Sequence, residues 1–195
     1  MEIDAIKKKV LEDVDPETRR KKKKEMRIQR LIVTLQFLGI AAVVILIFYI
    51  LMGISTVDGN SMYPTLHDKD IVIYNRRCKE YKAGDIVAIA RPSGEDYVKR
   101  VIAVAGDTVN IQDGKVYVNG EEVRYDGEIG TTEKKASKIT YPLRVGDKEV
   151  FVLGDNRNNS EDSRYADIGM VRKRYIVGKI WFTCSPFEKL GFTKG

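Results

Sequence analysis

Hydrophobic positions fall into one long block and many short ones. From Leu31 to Ile54, 24 consecutive positions carry no charged residue. As a helix rising ~1.5 Å per residue, that block is roughly 36 Å long, enough to cross a hydrocarbon core of ~30 Å with some tilt. A buried core helix is the competing reading, but such helices rarely run so far without a polar stripe. From about Val57 the period shortens. Ile71–Tyr74, Ile86–Ala90, Val98–Ala105, Lys115–Val118, Glu149–Leu153 and Tyr175–Phe182 are short runs rich in β-branched and aromatic residues, the composition of strands. Gly84-Asp85, Gly106-Asp107, Asp113-Gly114, Asn119-Gly120 and Gly146-Asp147 punctuate them as turns, and Asp113-Gly114 between two apolar runs predicts a hairpin. The expected fold is therefore mainly β: an antiparallel sheet or barrel-like domain following one transmembrane helix. The expected organisation is a basic segment over residues 1–30, a span over 31–54 and a β-rich domain over 55–195. Within the last, the polar stretch 121–140 predicts a surface loop insertion acting as a spacer.

Charge gives the span a direction. The formal net charge is +6, from 34 basic and 28 acidic residues. Between Arg19 and Arg30 stand eight Lys/Arg against one acid, Glu25. A basic run can bind nucleic acid, form a solvated tail or flank a membrane segment. The apolar block beside it selects the last reading and excludes nucleic acid as partner. The positive-inside rule then places the N-terminus in the cytoplasm and the β-rich domain outside, as a single-pass protein of the cell membrane. Contact between Arg19–Arg30 and anionic headgroups follows. A cleavable signal peptide fits less well, because its apolar core spans only ~7–15 residues and no A-x-A site follows here. Cys78 and Cys184 leave pairing open. With one histidine, His67, and no Cys/His cluster, no metal is expected, and no cofactor is suggested.

Three segments could carry chemistry. In Asp58-Gly59-Asn60-Ser61-Met62-Tyr63-Pro64-Thr65-Leu66, a serine sits between a Gly and a Pro, which suits a hydroxyl displayed on a defined turn. A serine needs a base to become a nucleophile. His67 is too local for the usual arrangement of base and orienting group. A lysine can serve when neutral, and desolvation lowers its usual pKa of ~10.4. Lys99 lies in the most apolar strand of the β-rich domain, where Tyr97, Lys99 and Val101 share one face and Val98, Arg100 and Ile102 the other. The third segment, Gly154–Arg164, is dense in hydrogen-bonding groups. Ser160 can orient an amine there, and Asp162 can pair with Arg164 or Arg157. Singly, each has an ordinary reading: a loop serine, a lysine that snorkels to water, a solvated loop.

Taken together they resemble the type I signal peptidases. The resemblance rests on Ser61-Met62-Tyr63-Pro64-Thr65 just after an anchor, Gly84-Asp85-Ile86-Val87, Tyr97-Val98-Lys99-Arg100 followed by Gly106-Asp107, and Gly154–Arg164, in that family's order. It implies a serine protease in which Ser61 attacks the scissile carbonyl and Lys99 is the general base. Ser160 would hold the Lys99 amine, Asp162 and Arg164 would form a structural ion pair, and the Ser61 N–H would help hold the oxyanion. Some members carry a serine two positions before the nucleophile as a second oxyanion donor; here Gly59 stands there. Relatives in the endoplasmic reticulum carry His in place of the lysine, so the chain is more similar to the bacterial branch. The implied substrates are preproteins whose signal peptides end in small residues, typically Ala-x-Ala, with Met62, Leu66, Tyr97 and Val98 lining the pocket. A protease dedicated to one pilus or transfer-system substrate would share these boxes. A membrane-tethered β-domain without catalysis is the alternative from another class. Soluble self-cleaving repressors, which also use a Ser–Lys pair, lack such an anchor.

Overall fold

The computed structural model describes residues 2–14, 16–90, 96–135, 139–184 and 190–192. Two compact units follow each other, Met1–Ile50 and Leu51–Gly195.

The first unit is helical: α1 spans Glu2–Val14, and α2 begins at Pro16 and runs to Leu51. A proline with preset φ and no N–H suits a first helical position. The 36 residues of α2 carry the basic run and the apolar block in one helix, with no residue buried. It is long and apolar enough to cross a membrane.

The helix stops three residues short of the predicted span. Met52–Thr56 form β1 instead, antiparallel to β2 (Ile71–Asn75). The β-branched Ile54 and Thr56 favour the extended form. Gly53 lies against the Tyr74 ring, where a Cβ would come within 2.2 Å of ring carbon. Apolarity alone could not separate this stretch from the helix.

The remaining strands are β3 Ile86–Ile89, β4 Tyr97–Val104, β5 Thr108–Gln112, β6 Lys115–Val118, β7 Glu121–Val123, β8 Leu143–Arg144, β9 Glu149–Leu153, β10 Val171–Arg172, β11 Ile176–Cys184 and β12 Leu190–Phe192. The fold is mainly β, as expected. A curled antiparallel sheet has the order β1-β2-β11-β3-β4-β9-β10, with β12 also on β11. A smaller sheet has the order β7-β6-β5-β8. The predicted hairpin is β5–β6, and Asp113 (φ 52°) and Gly114 (φ 73°) both adopt the left-handed backbone its tight turn requires.

Alternation distributes the core. In β3, Ile86 and Ala88 enter one apolar cluster with Met62, Leu66, Val72 and Val98. Val87 and Ile89 enter a second on the opposite face, with Val101, Val150 and Val152. A third cluster, including Ile102, Val109, Ile111 and Phe151, joins the small sheet to β4 and β9. Strand β4 is therefore buried on both faces, and Lys99 and Arg100 are each only 3% exposed. Such groups stay buried only when their polar atoms are satisfied, and the site is built around how they are.

Candidate active site

Ser61 sits in the turn that follows β1. The Met62 carbonyl accepts the Leu66 N–H at 2.9 Å, and the Gly59 N–H donates to Asp68 Oδ1 at 2.8 Å. Met62 and Leu66 are fully buried and anchor the turn in the first apolar cluster. The Ser61 carbonyl accepts the Asn156 N–H at 3.0 Å, and Asn156 Nδ2 donates to the Asn60 carbonyl at 3.1 Å. The Gly154–Arg164 loop is thus bonded directly to the backbone of the serine turn.

Lys99 Nζ lies 2.7 Å from Ser61 Oγ, donates to the Val98 carbonyl at 3.0 Å, and stands 5.1 Å from the centre of the Tyr97 ring. A hydroxyl and a buried amine at this separation can exchange a proton directly. Arg100, pointing from the opposite face, grips Asp155 with two bonds of 2.8 Å and donates to the Gly84 carbonyl at 2.9 Å. Thr65 Oγ1 donates to the same Asp155 carboxylate. Asp155 therefore ties the lysine strand to the serine turn, a role that sequence reasoning missed. Its signal was the adjacency of Arg100 to Lys99 inside an apolar strand, which demands a buried acid partner.

Asp162 and Arg164, both fully buried, form a two-point pair at 2.8 and 2.9 Å. Asp162 Oδ2 also accepts the Gly154 N–H at 3.1 Å. Arg157 does not join them. It pairs with Glu128 at 2.7 Å and donates to Thr132 Oγ1 and the Gly154 carbonyl. Burial pushes its guanidinium below the usual arginine range, and the Glu128 carboxylate opposes that shift. The predicted spacer is consequently part of the support. The Ile129 N–H donates to the Asp155 carbonyl, and the Arg157 N–H donates to the Ile129 carbonyl. Residues 136–138 of that stretch lie outside the described residues.

Two expected placements differ. The Ser160 hydroxyl is buried without a hydrogen-bond partner among the described residues. It lies beside Gly154 rather than orienting Lys99, whose amine is engaged by Ser61 and Val98. Leu66 is wholly inside the core and does not reach the cleft, because the turn directs it inward. Met62, Tyr97 and Val98 do line the cleft, which holds Ser61 and Lys99 in a volume of about 610 Å³. His67 packs edge-on against Tyr63. Cys78 and Cys184 are free thiols. Among the described residues, no group of three or more His, Cys, Asp or Glu is placed to hold a metal ion.

The family described as "Signal peptidase, peptidase S26" matches residues 28–184. The chain belongs to that family. Signal peptidase I of Bacillus amyloliquefaciens is 38% identical over 148 residues, covering 71% of this chain and 78% of its own. Signal peptidase I S of Bacillus subtilis (strain 168) is 38% identical over 147 residues, covering 69% and 77%. A crystal structure of a signal peptidase I from Enterococcus faecalis V583 aligns at 30% identity and a TM-score of 0.43, over 51% of this chain and 96% of its own. The chain is thus a serine-type peptidase of the signal peptidase family, and its apolar N-terminal helix fits a membrane-anchored protein.

Proposed function

We propose that the chain removes signal peptides from preproteins after small residues, at sites of the Ala-x-Ala type, with Ser61 as nucleophile and Lys99 as general base. The observation that carries this reading is the 2.7 Å contact between Ser61 Oγ and the amine of Lys99, a residue only 3% exposed. Burial among apolar groups works against the ammonium form. As a neutral amine, Nζ keeps one N–H on the Val98 carbonyl and offers its lone pair to the Ser61 hydroxyl. Attack forms the Oγ–C bond while Nζ takes the hydroxyl proton. Collapse breaks the C–N bond, and Nζ passes that proton to the leaving amine, leaving an acyl-serine. A water then attacks under the same base and frees the signal peptide as a carboxylate. The Ser61 N–H serves as an oxyanion donor. The Gly59 N–H is committed to Asp68 and does not serve.

The cleft suits an extended peptide. Its walls include Ser55 and Thr56 of β1, which among the described residues pairs with β2 alone, and Tyr97–Lys99 of β4. The edge of β1 can take a peptide as an added strand, with main-chain bonds for affinity and side-chain pockets for choice. Met62 and Val98 narrow those pockets toward small residues. Asp162, Arg164 and Asp155 act as positioning residues. The helix carrying the apolar block anchors the enzyme, with Arg19–Arg30 against cytoplasmic anionic headgroups and the β-rich unit on the outer side, where preproteins emerge.

The test is cleavage of a preprotein bearing an Ala-x-Ala site, in detergent or lipid, by wild type, Ser61→Ala and Lys99→Ala. Correct cleavage by wild type is expected, with both variants folded and inactive. An active Lys99→Ala, or a wild type inert on several such preproteins, would overturn the reading.

A further inference from the structure

A second cleft, of about 480 Å³, adjoins the first and shares two residues with it, Tyr97 and Glu161. Its floor is apolar, with Ile89, Ile168, Met170 and Val171. Glu161, Asp167 and Arg172 stand at its rim. No step of the proposed chemistry uses it. Resting on the function proposed above, we infer that this cleft receives the first residues of the mature chain, on the leaving-group side of the scissile bond, and that it selects an apolar side chain there.

The direction follows from the proton's path. Lys99 must hand its proton to the leaving amine, so the departing segment lies on the Lys99 side of Ser61. Lys99 Nζ is 5.1 Å from the centre of the Tyr97 ring, and Tyr97 is one of the two residues common to both clefts. A chain continuing from the amine passes over Tyr97 and Glu161 onto the apolar floor. Met170 is held there, its Sδ accepting the Gly146 N–H at 3.4 Å. The rim carries two carboxylates against one guanidinium, so it favours the new α-ammonium and disfavours acidic residues early in the mature chain.

Two peptide substrates with the same signal segment and cut site test this. One ends about two residues after the cut. The other continues for about eight, with an apolar residue near the third. Wild type is expected to cleave the longer one with kcat/KM about tenfold higher, chiefly through KM. If neither is cut, the proposed function fails. If both are cut equally well, only the inference fails. In a second arm, Ser61→Ala is mixed with long peptides carrying benzophenone either near the third mature position or three positions before the cut. Crosslinks from the mature-side probe to Met170 or Ile168 are expected. Their absence, or the same crosslinks from the signal-side probe alone, would overturn the assignment.

Discussion

Gly154 occupies a position that no side chain can share. A Cβ there would lie 2.4 Å from the Ser61 carbonyl oxygen and 2.2 Å from Ser160 Oγ. The close approach lets the Asn156 N–H reach that carbonyl and lets Asp162 hold the Gly154 N–H. Gly154→Ala must therefore push the serine turn away from Lys99. A misplacement of about 1 Å can cost about 100-fold in rate, so kcat/KM is expected to fall by about that factor. The circular dichroism spectrum should change little. Unchanged kinetics in a folded variant would show that the loop does not position Ser61. At this scale the sequence was legible where chemistry demands particular residues. Ser61 stands 2.7 Å from Lys99, and Asp162 pairs with Arg164. Arg100 with Asp155, and Arg157 with Glu128, were not legible. Each pair joins residues far apart in the chain, and composition announces a charge without naming its partner. Ser160 shows the reverse: a residue inside a motif whose hydroxyl finds no bond among the described residues.

Elements were read well when they were long and apolar, and poorly when short or polar. Strands β2, β3, β4, β6, β9 and β11 stand at or within a residue or two of the predicted runs, because each buries apolar side chains on at least one face. Strands β7, β8 and β10, of two or three residues, carry Glu, Arg and Leu in patterns no periodicity can flag. The stretch after β7 was read as a spacer for the same reason, yet Glu128 and Thr132 reach back to Arg157 in the Gly154–Arg164 loop. Removing one partner from a buried ion pair strands the other, at a cost of about 3 kcal/mol or more. Glu128→Ala is expected to destabilise the β-rich unit by about that amount and to lower kcat, since Arg157 also holds the Gly154 carbonyl. Urea denaturation alongside peptide kinetics checks both. A true spacer would leave stability within about 0.5 kcal/mol of wild type.

Across the β-rich unit, the buried Tyr81 and the half-buried Tyr141 test whether the three apolar clusters behave as one cooperative body. Burial pushes the Tyr81 phenol, in the second cluster, up to about 12, with the nearby Cys78 and Asp85 adding to the effect. Burial likewise pushes the Tyr141 phenol, packed against the third cluster, up to about 12. An unfolded tyrosine titrates near 10. Between about pH 10 and 12 the folded unit therefore keeps protons that the unfolded chain has released, so stability falls as pH rises through that window. Below about pH 10 both contributions are fully present; each is on the order of 2 kcal/mol. The two phenols differ in one respect. Tyr81 Oη donates to the Cys78 carbonyl at 2.9 Å, whereas Tyr141 Oη is buried with no partner among the described residues. At pH 7, Tyr81→Phe is then expected to cost about 1 kcal/mol, while Tyr141→Phe is neutral or stabilising. Both variants should lose less stability than wild type between pH 9 and 11, which cancels the background titration of the lysines. Urea titrations of the detergent-solubilised protein at those pH values provide the measurement. If the clusters form one unit, each variant flattens the alkaline decline of a single transition. Two transitions, each responding to one variant only, would show instead that the small sheet and the curled sheet unfold separately.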